Sequence, residues 1–135
     1  MVGRLIRAGC VALGLGLPAL AAPPQRVVSM NLCTDQLAML LAAPGQLISV
    51  SHLARDPLSS SMTEEAARYR VNHGLAEEIH RLRPDLVLVG SHSAPATVAM
   101  LERLGVPVAV FPPAGDFDGI RANLGKMGEV LGREA

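Results

Sequence analysis

The chain has 135 residues, half of them hydrophobic and 18% charged, with twelve basic and twelve acidic side chains and a formal net charge of zero. That composition suits one globular domain. It carries no basic stripe and no aromatic–basic interleaving, which argues against a nucleic-acid partner, and with only Tyr69, Phe111 and Phe117 aromatic the core must be aliphatic.

The first residues read as a targeting segment. Arg4 and Arg7 form a positive stretch, Cys10 to Leu20 a short apolar core, and Ala19-Leu20-Ala21 a small-residue cleavage pattern. The apolar stretch is shorter than the roughly 20 residues that span a bilayer. Gly14, Gly16 and Pro18 break it as a buried helix, and Cys10 opens the apolar core instead of following it, as a lipidated cysteine would. Residues 1–21 are therefore expected to be a signal peptide and residues 22–135 an exported domain. Cleavage would leave ten basic residues against twelve acidic ones, net −2, and would leave Cys33 without a partner in the chain. A single cysteine in an oxidising compartment implies a buried thiol or a mate elsewhere.

After the linker Ala22-Pro23-Pro24-Gln25, Arg26 to Met30 reads as a strand. Asn31 and Thr34 can cap a helix carrying Leu37, Leu40 and Leu41 on one face, which Pro44-Gly45 stops. Leu47 to Ser51 is a second strand, followed by the polar stretch Ser51 to Pro57. Ser61 and Glu64 form a capping-box pattern for a short helix through Arg70, and Val71-Asn72-His73-Gly74 reads as a turn. Leu75, Ile79 and Leu82 mark the next helix, ended by Pro84. Leu86 to Val89 is a continuous apolar run, as expected of a strand covered on both faces. Ser91 to Pro95 is a polar loop, Ala96 to Leu104 a helix and Val106 to Phe111 a fourth strand. Asp116 then caps a helix with a stripe of Ile120, Leu124, Met127 and Leu131. The sum is a Rossmann-like three-layer α/β domain with a four-stranded parallel sheet and five helices. Open sheets of this kind bind ligands at the carboxyl ends of their strands.

Little in the chain points to catalysis. There is no phosphate-binding G-x-x-x-x-G-K-[ST] and no G-x-S-x-G; Ser91 and Ser93 follow a strand without flanking glycines, and no acid–base pair stands out. His80 reads as a surface helix residue. His52, His73 and His92 all lie in loops at one sheet edge, so they could converge on a transition metal or an iron chelate. Their spacings of 21 and 19 residues match no metal motif, and local bonding of each ring is the simpler reading. Arg55 and Asp56 can pair with each other. Glu77 and Glu78 open a helix whose amino-terminal dipole favours them.

The blocks R-V-V-S-M-N-L-C-T-D-Q-L, S-H-L-A-R-D-P, N-H-G-L-A-E-E-I, L-R-P-D-L-V-L-V-G and L-E-R-L-G-V-P-V-A-V-F-P-P, in this order from Gln25 to Glu134, resemble the N-terminal lobe of a periplasmic binding protein. The class is the one serving ABC importers of iron–siderophore complexes and cobalamin. The resemblance implies a two-lobed protein whose ligand sits in the cleft between lobes, with the C-terminal lobe absent from this sequence and no catalysis or cofactor. It implies a metal-chelate ligand, siderophore or corrinoid, held by Asn31, Leu32, His52, Arg55, His73, His92 and Ser93. It further implies a periplasmic location and docking onto an inner-membrane permease through Glu77. Relatives often line the cleft with Trp or Tyr, and these loops hold neither. The competing expectations are a zinc or manganese binding protein, which would want a histidine where Asn31 stands, and a secreted Rossmann-like enzyme, which would want glycines in the first loop.

Overall fold

The computed structural model describes residues 22–133; the signal-peptide reading of residues 1–21 lies outside them. Five parallel strands form one sheet: β1 (Val27–Ser29), β2 (Leu47–Ser51), β3 (Arg70–Asn72), β4 (Leu86–Gly90) and β5 (Val108–Phe111), in the order β3-β2-β1-β4-β5. Five α-helices connect or flank them: α1 (Leu32–Leu41), α2 (Thr63–Ala66), α3 (Ala76–Arg81), α4 (Pro95–Arg103) and α5 (Phe117–Leu131). A turn of 3-10 helix, His52–Arg55, follows β2.

The apolar run in β4 is apolar because the sheet is covered twice. Leu86 and Leu88 face one cluster with Val27, Met39, Val50, Met127 and Leu131, beneath α1 and α5. Val87 and Val89 face the other with Val28, Ile79 and Leu101, beneath α3 and α4. Successive strand side chains point to opposite faces, so both sets of positions in this strand meet an apolar layer. The L-R-P-D block preceding β4 also holds the start of β1. Asp85 accepts from the backbone N–H groups of Gln25 and Arg26 at 2.7 and 2.8 Å, and the Arg26 guanidinium donates to the carbonyls of Leu82 and Arg83.

Four expectations are corrected. The sheet has five strands, not four, because Arg70–Asn72 pairs with β2 where a helix end and a turn were expected. The helix before it covers only Thr63–Ala66, with Met62 at its cap and no side-chain cap bond. Ser61 therefore forms no capping box; the neighbouring Ser60 Oγ accepts from the Met62 N–H instead. In α5 the buried face is Asn123, Met127, Gly128 and Leu131, while Ile120 is exposed. Asn123 replaces it because its amide donates to the Pro112 carbonyl at 2.9 Å and fixes the turn after β5. The caps Asn31 and Asp116 form as expected, accepting from the Cys33 and Gly119 N–H groups.

Candidate functional site

Parallel strands place the loops after β1, β2, β3 and β4 on one edge, and that edge rests on a buried polar network. Asp35, in the first turn of α1, accepts from the Ser51 N–H at 3.0 Å and the Ser51 hydroxyl at 2.5 Å. Burial raises its carboxyl above the ordinary range, and the bonds from Ser29 and Ser51 offset only part of that rise. The Asn72 amide nitrogen donates to the Ser29 carbonyl, the Ser49 hydroxyl and the Val50 carbonyl at 2.8, 2.9 and 3.0 Å, while its oxygen accepts from the Gly74 N–H. The Ser29 and Thr34 hydroxyls meet at 2.7 Å. Asp35, Ser49, Ser51 and Asn72 are all buried, so these bonds lie away from water and hold the loop bases rigidly.

Above this floor the expected site residues divide into two groups. His52 and His73 come together, with ring centroids 5.4 Å apart and planes inclined by 19°. His73 is also held by Glu78, which accepts from its backbone N–H at 2.8 Å and lies 3.3 Å from Nδ1. Burial raises the Glu78 carboxyl, but the His73 bonds outweigh it and leave the group below the usual carboxylate range. On the far side of β1, His92 lines a cavity of about 70 Å³ with Asn31, Cys33, Ser91 and Phe111. Gly90 lets Asn31 approach closely: a Cβ at that position would meet the Asn31 amide nitrogen at 2.9 Å, and the side chain that caps α1 would have to shift.

The three loop histidines therefore do not share a point. Adjacent strands lie about 4.8 Å apart, and the His92 loop stands two strands from the His52 loop. Among the described residues no three His, Cys, Asp or Glu side chains gather closely enough to hold a metal ion. The Arg55–Asp56 pairing also gives way. The Arg55 guanidinium donates to the carbonyls of Ala66, Ala67 and Tyr69, and Asp56 accepts from the Ser59 hydroxyl and the Leu58 N–H. Ser93 closes its own loop by accepting from the Gly90 N–H at 3.0 Å, and Leu32 is half-buried at the start of α1. Cys33 is exposed, which excludes the buried-thiol alternative. Glu77 is exposed in the first turn of α3, and its carboxylate has no hydrogen-bond or ion-pair partner among the described residues, unlike Glu78. Sequence reasoning missed Asp35, and it placed Asn72 in a turn and Glu78 at a helix end without their partners, which lie across the fold or across a loop.

No family model matches the chain. It is 32% identical over 117 residues to a vitamin B12-binding protein of Yersinia pestis, covering 85% of this chain and 40% of the relative. The chain thus spans about two-fifths of the length of the curated relatives it matches. The periplasmic heme-binding protein of Pseudomonas aeruginosa superposes with a TM-score of 0.68 at 24% identity, over 82% of this chain and 39% of that one. The periplasmic vitamin B12-binding protein of Vibrio cholerae superposes at 0.63 and 24% identity, over 80% and 42%. These neighbours are two-lobed binding proteins, not enzymes, and the fold seen here is that of one lobe.

Proposed function

We propose that the chain, which is similar to the periplasmic vitamin B12-binding proteins and has the fold of one lobe of the two-lobed binding proteins, is the solute-binding component of an ABC importer, contributing the N-terminal lobe. Its cargo is a metal chelate of the corrinoid, heme or ferric-siderophore kind, passed to an inner-membrane permease from the periplasm. The observation that carries this reading is the carboxyl edge of the sheet, where Asn31, the His52–His73 pair and His92 stand on a floor of buried, fully bonded polar groups. A rigid edge that presents exposed imidazoles suits the capture of a ligand.

The test begins with chain recovered from the periplasm, whose N-terminus should be Ala22. Titrated calorimetrically with cyanocobalamin, heme and a ferric siderophore, it should bind at least one of them, far more weakly than a two-lobed protein would. Contacts divided between two lobes lose the gain of engaging both at once. Nanomolar binding by residues 22–135 would contradict the shared cleft, and an N-terminus still at Met1 would contradict export.

Permease docking is proposed for Glu77. Its carboxylate has no partner among the described residues, whereas the Glu78 carboxylate is held by His73. A charge-assisted contact that becomes desolvated on docking costs about 2–5 kcal/mol when one partner is removed, and much less at a rim. Within a complete two-lobed importer, Glu77→Ala is expected to leave ligand affinity unchanged and to slow uptake into vesicles. Uptake equal to wild type would leave Glu77 a helix-end charge.

A further inference from the structure

The loops after β2 and β3 hold an arrangement that points to one kind of chelate. The His73 ring meets Glu78 at Nδ1, 3.3 Å away, and is stacked with His52, ring centroids 5.4 Å apart. An ionised carboxylate can only accept hydrogen bonds, so the Glu78 contact places the proton of the neutral ring on Nδ1 and leaves Nε2 with its lone pair. The same carboxylate takes the His73 backbone N–H, so backbone and ring are positioned by one group. A carboxylate on the second nitrogen is the arrangement that orients metal-bound histidines and raises their basicity.

We propose that His73 Nε2 is an axial ligand to the metal of a tetrapyrrole cargo, with Glu78 orienting the imidazole and His52 stacked against it. This rests on the reading that the carboxyl edge captures a metal chelate, and it selects among the chelates. A hexadentate ferric siderophore such as ferrioxamine supplies all six of its metal's donors itself, leaving no position for an imidazole, and anionic siderophores call for cationic partners. The one guanidinium in these loops, Arg55, is already engaged by three backbone carbonyls. A bare ion would need several protein ligands, and no group of three exists among the described residues. A tetrapyrrole fills four positions itself and needs only an axial nitrogen. It also suits the breadth of the edge: the His92 loop stands roughly 10 Å from the His52 loop, two strand spacings, a gap one ion cannot bridge and a macrocycle can.

The test uses the full chain at millimolar concentration, so that half-cleft binding registers. Ferric protoporphyrin, aquocobinamide and ferrioxamine are each titrated in, followed by absorbance and by the long-range proton–nitrogen spectrum of the histidines. Without ligand, His73 should show the Nδ1–H tautomer. The two tetrapyrroles should acquire imidazole-ligated spectra and shift Nε2 of His73, while ferrioxamine should leave that nitrogen unmoved. His73→Ala should abolish the ligated spectrum. Glu78→Gln should weaken binding about 10- to 100-fold, as loss of an orienting partner does, and His80→Ala should change nothing. Unaltered tetrapyrrole spectra in His73→Ala, or an Nε2–H tautomer, would overturn the proposal. Ferrioxamine binding that excludes both tetrapyrroles would overturn it too while leaving the importer reading standing. Failure of all three compounds would remove the importer reading and this proposal together.

Discussion

Asn72→Asp should be among the most destabilising single-atom changes in the molecule. The substitution keeps volume and shape but replaces the amide N–H donors with an oxygen. Three acceptors, the Ser29 carbonyl, the Ser49 hydroxyl and the Val50 carbonyl, would then face a carboxylate in a site with no exposure to water. Each buried polar group left unpaired costs about 1–3 kcal/mol, and more when a charge is involved. A loss of at least about 3 kcal/mol is expected at pH 7, a large part of the 5–15 kcal/mol typical of a domain. The damage should be local first. Amide exchange in Arg70–Asn72 should rise ahead of the other strands, and the His52–His73 contact should disappear from nuclear Overhauser spectra. An Asn72→Asp chain as stable as wild type would show that β3 is held by its backbone ladder alone.

Asp35 should give the next largest effect, with a pH signature. Asp35→Ala strands the buried Ser51 N–H and hydroxyl, at about 1–3 kcal/mol each. Asp35→Asn retains an acceptor for the N–H and removes the cost of a buried charge, so it should be the milder change at pH 7. Burial raises the folded carboxyl above its ordinary value of 3.8. A raised acid favours the protonated folded state: the stability it contributes is complete below about 3.8 and is lost as pH rises through the raised folded value. Wild type should therefore gain on Asp35→Asn as pH falls from 7 towards 4. Glu78 acts in the opposite sense, since its lowered carboxyl contributes stability above its ordinary range that is lost on acidification. It is common to both proteins and cancels in the difference. Denaturant unfolding at several pH values checks this; a difference that is flat with pH, or an alanine variant no worse than asparagine, would refute the account.

The sequence alone determined whatever depends on near neighbours. Pro84 and Gly90 bound an unbroken apolar run, so β4 had to be a strand buried on both faces. Asn31 and Asp116 stand just before apolar periodicity and cap α1 and α5, because a cap bond spans only two or three residues. The order of the other four strands and of the helices, and with it the α/β layer and its ligand edge, followed from such local signals. What the tertiary structure decided depends on residues far apart in the chain. Arg70-Val71-Asn72 is too short and too polar to announce a strand. It becomes one because β2 offers an open edge and because Asn72 reaches Ser29, 43 residues away. Strand order then sorted the three loop histidines: β2 and β3 are neighbours, so His52 and His73 stack, while β1 stands between them and His92. Side chains along the chain reveal which loops share an edge, but the distances along that edge are set only when the strands pair.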